Sequence, residues 1–339
     1  MNNKIFIFLT FVLLLIAGLS GCIEEKTNTF TFIANDDSDK GEVVYTGLTL
    51  DDLNFSISNY PTVDSSTSAF PLNYIIACNI LNASYYWVYD LYGYVMDLYV
   101  TADDSNISDF INHINISGTH DAYMNLIDGN ADIVLVARPP SEDELSHANN
   151  NSVNLVTKAV ALDAFVFITN VANPVESLTV KQIQDIYTGS ITNWSQLGGN
   201  SLDIIAYQRN KNSGSQELME SLVMKDLEIA ELPELTLFGM GGPFDRLVYD
   251  FQGEGLAYTV YYYKEFLTNT SDSIKMLGVN GVVPSYENIS NSSYEYVTEV
   301  YAVIRSDLDG DSNSYKLRDW LLGESGQEIV RESGYVSIS

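Results

Sequence analysis

The sequence predicts an α/β protein of two lobes, and three observations carry that prediction. Apolar runs of strand length alternate with segments of helical spacing along most of the chain. The chain is 339 residues long and 46% hydrophobic, enough to build more core than one small lobe needs. Short polar turns sit between the strand-like and helix-like runs. In order, Tyr60-Pro61-Thr62-Val63 leads into the polar turn Asp64 to Ser68. Leu72, Ile75, Ile76 and Ile80 fall on one helix face, with Pro71 tolerable in the first turn. Residues 120–128 read as a helix, 131–137 as a buried strand and 159–169 as a longer apolar β-type run. Thr179 is placed to cap a helix ending near Gly189, and Ile191 to Trp194 reads as a turn packed by tryptophan. Leu202 to Tyr207 reads as a strand, and Leu218, Met219, Leu222 and Val223 repeat at helical spacing. Residues 255–261 and 296–304 complete the strand set. The alternation predicts largely parallel sheets, and no internal repeat is visible.

The N-terminus speaks to location. Lys4 precedes an apolar run from Ile5 to Leu19, followed by Leu19-Ser20-Gly21-Cys22. The run is short for a membrane span, which needs roughly 20 residues, and a basic start with small residues at its end reads as a secretion signal. The Leu-Ser-Gly-Cys order resembles a lipobox, in which Cys22 is lipidated and becomes the first mature residue. An uncleaved N-terminal anchor is the other reading. Both put the body outside the cytoplasm, on the membrane. Residues 24–40, rich in Asn, Asp and Thr, read as a flexible tether within an N-terminal extension over 23–57. Several Asn-X-Ser/Thr sequons, among them those at Asn82, Asn106, Asn115, Asn193 and Asn288, permit glycosylation.

Composition removes several function classes. With 45 acidic residues against 16 basic ones the net charge is −29, the wrong sign for a nucleic-acid binder. An anionic ligand is repelled at long range, so any anion site must work through local donors. After Cys22 only Cys78 remains, which excludes an internal disulfide and reads as a small core residue. Metal catalysis wants clustered ligands, yet the three histidines, His113, His120 and His147, match no common zinc spacing. No Gly-x-Ser-x-Gly elbow occurs at a strand end, although Ser117 and His120 lie close in sequence. An enzyme, a metal and a cofactor are therefore not expected.

The most informative stretch is Gln208 to Glu217, where Arg209 stands four residues before Ser213-Gly214-Ser215. A strand, a small-residue loop and a helix start can cradle an anion. The first N–H groups of a helix lack internal partners, the macrodipole favours negative charge, and guanidinium suits oxyanions. Equally, a serine there can simply cap the helix while Arg209 sits in solvent. Two more polar turns lie between a strand and a helix, Ser65 to Ser68 and Ser117-Gly118-Thr119. Three turns converging would offer an oxyanion six or more donors; three unrelated caps are the alternative.

Residues 178–189 and 191–199, with Ala161 to Ile168 before them, resemble the phosphate-type substrate-binding proteins of ABC importers. So do Val279 to Ser285, Glu324 to Val330 and Gly334-Tyr335-Val336. The resemblance covers roughly residues 58–339 and implies a type II periplasmic-binding-protein-like fold with the ligand in a cleft between lobes. Such folds cross twice, here near 161–165 and 295–300. That gives lobe one as 58–162 with 296–339 and lobe two as 163–295. Carried over residue by residue, the resemblance implies a ligand set of Ser66 and Thr67, Ser117 and Thr119, then Arg209, Ser213, Gly214 and Ser215. Ser215 stands where the family has threonine, and Ser65 where the first loop usually has glycine. Where classical phosphate binders carry an aspartate that accepts the proton of hydrogen phosphate, this chain has Arg138. A donor there removes the filter against fully ionised anions unless Asp64, Asp121 or Glu142 replaces it; a surface role before Pro139-Pro140 is the other reading. The resemblance implies a monomeric, lipid-anchored receptor for phosphate or a related oxyanion, partnered by an ABC permease. A sensor or surface-interaction protein on the same fold is the alternative, with an extracellular hydrolase further off.

Overall fold

The structure is a computed structural model that describes residues 31–34, 41–45, 53, 55–89, 96–101, 107–211, 213–230 and 235–338. The leader, Cys22 with its expected lipid, and the sequon at Asn106 lie outside the described residues. Among the described residues no helix is long and apolar enough to cross a membrane.

One strand organises the molecule. The apolar run expected over 159–169 is part of a 16-residue strand, Leu155–Asn170, buried almost throughout from Val160 onward. Its first half pairs antiparallel with Val297–Arg305. Its second half pairs antiparallel with Gly255–Val260 on one edge and Ile274–Val279 on the other. Two lobes are thus built on one continuous strand. Beyond Val297–Arg305 the first lobe adds Ile133–Val136 antiparallel, then Val63–Ser65 and Ile114–Ile116, both in parallel pairings. The second lobe adds Ile205–Ala206 parallel to Gly255–Val260, and Ser177–Leu178 parallel to Ile274–Val279.

The sheet is therefore mixed, not largely parallel. A chain that crosses between lobes and returns must run both ways, and a doubly buried apolar run reads alike in either direction. A separate antiparallel sheet orders Thr31–Ala34, Gly41–Tyr45, Ser84–Tyr89 and Met96–Thr101. The expected tether is thus interrupted by a strand, because Thr31-Phe32-Ile33 is β-branched and aromatic.

Local signals elsewhere act as the sequence indicates. Pro71 sits in the first turn of the helix Phe70–Leu81. Thr179 Oγ1 accepts from Gln182 N at 3.2 Å and starts the helix Val180–Tyr187. Helix Glu142–Asn150 opens with a capping box between Ser141 and Glu144. The Gly214–Leu218 helix continues as a π-helical turn over Met219–Met224. Cys78 is free and fully buried, and burial pushes its thiol up, away from the reactive thiolate. The core is aromatic at the lobe junction, where the rings of Phe165, Phe167, Tyr187 and Tyr258 meet within 6.4 Å.

Candidate anion-binding cleft

All three polar turns open onto one cavity of about 350 Å3. The first follows strand Val63–Ser65 and presents Thr67 and Ser68. Ser66, expected in the ligand set, is fully buried beside the cavity, its Oγ 3.1 Å from Ser68 Oγ. The second follows Ile114–Ile116 and presents Ser117, Gly118 and Thr119 at the start of the helix Thr119–Asp128. Gly118 has φ +89°, a left-handed value that a side chain would strain. One buried carboxylate registers these two turns. Asp64 Oδ1 accepts from the N–H groups of Ser65 at 2.7 Å and Ser117 at 3.1 Å. Its Oδ2 accepts from Asn125 Nδ2 at 2.7 Å, and Asn125 also donates to Ser117 Oγ at 3.2 Å. Both oxygens of Asp64 are thereby committed inside the fold.

The third turn belongs to the other lobe. Gln208–Arg209 pairs in parallel with Thr236–Leu237, which carries Gly239 and Met240 to the cavity wall. The Arg209 N–H is held by Tyr258 Oη at 2.9 Å and Gln216 Oε1 at 3.1 Å. Ser213 Oγ accepts from Gln216 N at 3.1 Å, so it caps the helix, and its own proton is free to donate. Asn210, Lys211, Ser213, Gly214 and Ser215 all line the cavity with Arg209. The caps and the converging turns, posed as alternatives by the sequence, are here the same residues.

Arg209 is the unusual group. Its side chain is only 6% exposed, it makes no ion pair among the described residues, and its Nε is buried without a hydrogen-bond partner. One Nη lies 3.6 Å from the Met240 sulfur, a weak acceptor. Burial lowers its pKa from the ordinary arginine value, yet guanidinium stays charged in proteins. A buried cation with no carboxylate paired to it among the described residues is costly, and this one faces the cavity.

The two lobes touch at this cavity. A Cβ built on Gly214 falls 2.5 Å from Thr119 Oγ1 of the opposite lobe, so a side chain there would force the threonine hydroxyl to move.

Arg138 takes a different place. It does not line the cavity. Its Nη atoms donate to the Glu144 carboxylate in a fork at 2.7 and 2.8 Å, and Nε makes an ion pair with Glu217. Burial alone would lower its pKa, but Glu144 and Glu217 raise it. Two carboxylates flank Arg138, and at 5% exposed it is not a surface residue. Of the three acceptors considered in its place, Asp64 is internally bonded and Glu142 lies off the cavity, whereas Asp121 lines it. So does His120, whose Nδ1 lies 3.2 Å from Glu144 Oε1. Sequence reasoning missed His120, Lys211, Gly239 and Met240 as lining residues. The first two adjoin expected positions, but nothing local marks 239–240. Among the described residues no group of three or more His, Cys, Asp or Glu is placed to hold a metal.

The comparisons with known proteins agree with this architecture. The PBP superfamily domain matches residues 114–321. Protein SphX of Synechococcus elongatus is 22% identical over 240 residues, 66% of this chain and 68% of that protein. The phosphate-binding protein PstS of Borreliella burgdorferi is 24% identical over 214 residues, 61% of this chain and 72% of that one. Among solved structures, a phosphate ABC transporter substrate-binding protein of Clostridium perfringens, with bound phosphate, aligns at a TM-score of 0.60 with 24% identity. That alignment covers 83% of this chain and 100% of the other. An ABC-type phosphate transport receptor of Vibrio cholerae aligns at 0.58 with 23% identity, over 81% and 99% of the two chains. With more than half its length matched by the family and its two lobes laid out on the same fold, the chain belongs to the PBP superfamily.

Proposed function

We propose that this protein is an extracytoplasmic receptor that captures phosphate, or a related tetrahedral oxyanion, between its lobes and delivers it to an ABC permease. The observation that carries the reading is Arg209, a buried guanidinium with no carboxylate paired to it among the described residues, facing a cavity whose wall also carries Lys211, several hydroxyls and two helix starts. Such a site supplies hydrogen bonds and charge in a fixed geometry and suits an anion of four acceptor oxygens. The PstS relatives bear the name of phosphate-binding proteins, which supports the choice of anion. The ligand set is Thr67, Ser68, Ser117, Thr119, Arg209, Ser213, Gly214 and Ser215, with Ser66 behind it. The lobes divide near 162/163 and 295/296, in keeping with the exchange of partners along Leu155–Asn170. Closure about these crossings, rather than a chemical step, is the working motion. Cys22 supplies the lipid anchor.

Calorimetric titration of the soluble chain with phosphate, sulfate, molybdate and a phosphate monoester, at fixed ionic strength, tests the reading. The monoester is included because the cavity exceeds what a lone oxyanion fills. Phosphate binding that Arg209→Ala abolishes is expected. Binding of none of the four, or binding unchanged in the variant, overturns it.

A further inference from the structure

The feature left unused by the site is the Glu144–Arg138–Glu217 bridge, and it spans the cleft. Arg138 and Glu144 belong to the first lobe, on the segment leaving strand Ile133–Val136 and on the helix Glu142–Asn150. Glu217 belongs to the second lobe, in the first turn of the helix whose N-terminal residues line the cavity. The first-lobe half is rigid. Glu144 is fully buried, accepts the Arg138 fork, accepts from Ser141 N at 2.8 Å and lies against His120. Tyr123 stacks beneath the guanidinium at 5.5 Å and donates to the Arg138 carbonyl at 2.9 Å. The second-lobe half is a single contact. Arg138 Nε and Glu217 Oε2 meet as a charge pair, and each lacks a well-directed hydrogen bond of its own. The Glu217 side chain is 23% exposed, so solvent can hydrate it as soon as the lobes part.

We propose that Arg138 and Glu217 form a closure latch, a preset cation on one lobe that captures a carboxylate of the other when the lobes close, lengthening the anion's residence without touching it. The inference rests on the receptor reading for its ligand, but its geometry is independent of which anion binds. Glu217 shares the first helical turn with the cavity-lining Gly214 and Ser215, so its charge opposes a bound anion. If Glu217 were a bystander, neutralising it would tighten anion binding. If it is a latch, neutralising it loosens binding, mainly through faster release.

The sign of the effect of Glu217→Gln on phosphate affinity is therefore decisive. About a tenfold rise in Kd is expected, carried by koff with kon little changed, in a variant whose melting temperature matches the parent. Unchanged or tighter binding in the variant overturns the latch. A second readout is independent of the anion. Spin labels on the two lobes, measured without ligand at low salt, should show a larger open fraction in Glu217→Gln than in the parent, and 1 M salt should erase the difference. Equal distance distributions overturn the latch even if phosphate proves not to bind. Failure of the parent to bind any oxyanion, with the label difference intact, sinks the receptor reading and leaves the latch standing.

Discussion

Two arginines lie close to the cleft, equally hidden from solvent and opposite in circumstance. Arg138 is 5% exposed and flanked by Glu144 and Glu217; Arg209 is 6% exposed and pairs with no carboxylate among the described residues. A buried cation is costly unless it is paired, so the molecule has satisfied one of these and left the other waiting. The satisfied arginine joins two carboxylates, and the other faces the cavity where the proposed anion would sit. Burial alone distinguishes neither; the inventory of counter-charges does.

Three variants test that contrast. The largest effect belongs to Arg138→Met, which leaves Glu144 fully buried with its charge partner gone. A loss of about 3–5 kcal/mol of unfolding free energy is expected from denaturant titration, and a loss under about 1 kcal/mol would show that the bridge is not structural.

The next effect comes from a third buried charge, at the lobe crossing. Asp163 is 2% exposed; its Oδ1 accepts from Ala164 N at 2.8 Å and Tyr262 N at 3.0 Å, while Oδ2 has no partner. Burial pushes its pKa up to about 7, against the two hydrogen bonds. The folded value lies above the unfolded one of roughly 4. The folded state therefore holds the proton more tightly, and this group's stabilising share is complete below about pH 4. It is lost as pH rises through about 7. Asp163→Asn removes that loss, so the variant should gain about 1–3 kcal/mol on the parent between pH 5 and pH 8. Parallel stability curves over that range would refute the assignment.

Arg209→Met gives the smallest effect, and its sign is the informative part. In the absence of anion, the substitution removes an uncompensated charge, and a gain of about 1 kcal/mol is expected, while oxyanion binding is lost. A clear loss of stability would mean that Arg209 has a structural partner after all.

The same contrast explains what could be read in the sequence. The cradle around Arg209 is local: strand, turn, cap and helix start lie within ten residues, and each has its own residue signature. The alternation of elements and the Thr179 cap are legible for the same reason. The neighbours of Arg138 are not. Glu144 looks like half of a capping box with Ser141, which it is, and nothing in that motif reveals that its carboxylate also holds a guanidinium. Glu217 lies in the other lobe, and Asp64 joins two turns whose proximity depends on sheet order. Strand direction was illegible on similar grounds. The run ending in Asn170 is apolar because both its faces are covered, and that pattern carries no sign of which neighbour runs which way. Ser66 against Ser68 is a matter of which turn residue faces inward, decided by tertiary packing.

The C-terminal residues give the crossing strand a consequence for how the protein is made. Leu162 and Val336 exchange backbone hydrogen bonds at 2.7 and 3.2 Å, and Tyr335 Oη donates to the Ser68 carbonyl at 2.8 Å, on the first turn of the cleft. A chain synthesised from its N-terminus thus makes the cradle's first wall early and braces it only once Tyr335 has followed. The middle lobe can assemble while the outer one waits for Val297–Arg305 and then for Tyr335. Chains broken off before Tyr335 would emerge with every cleft residue present and the first wall unbraced.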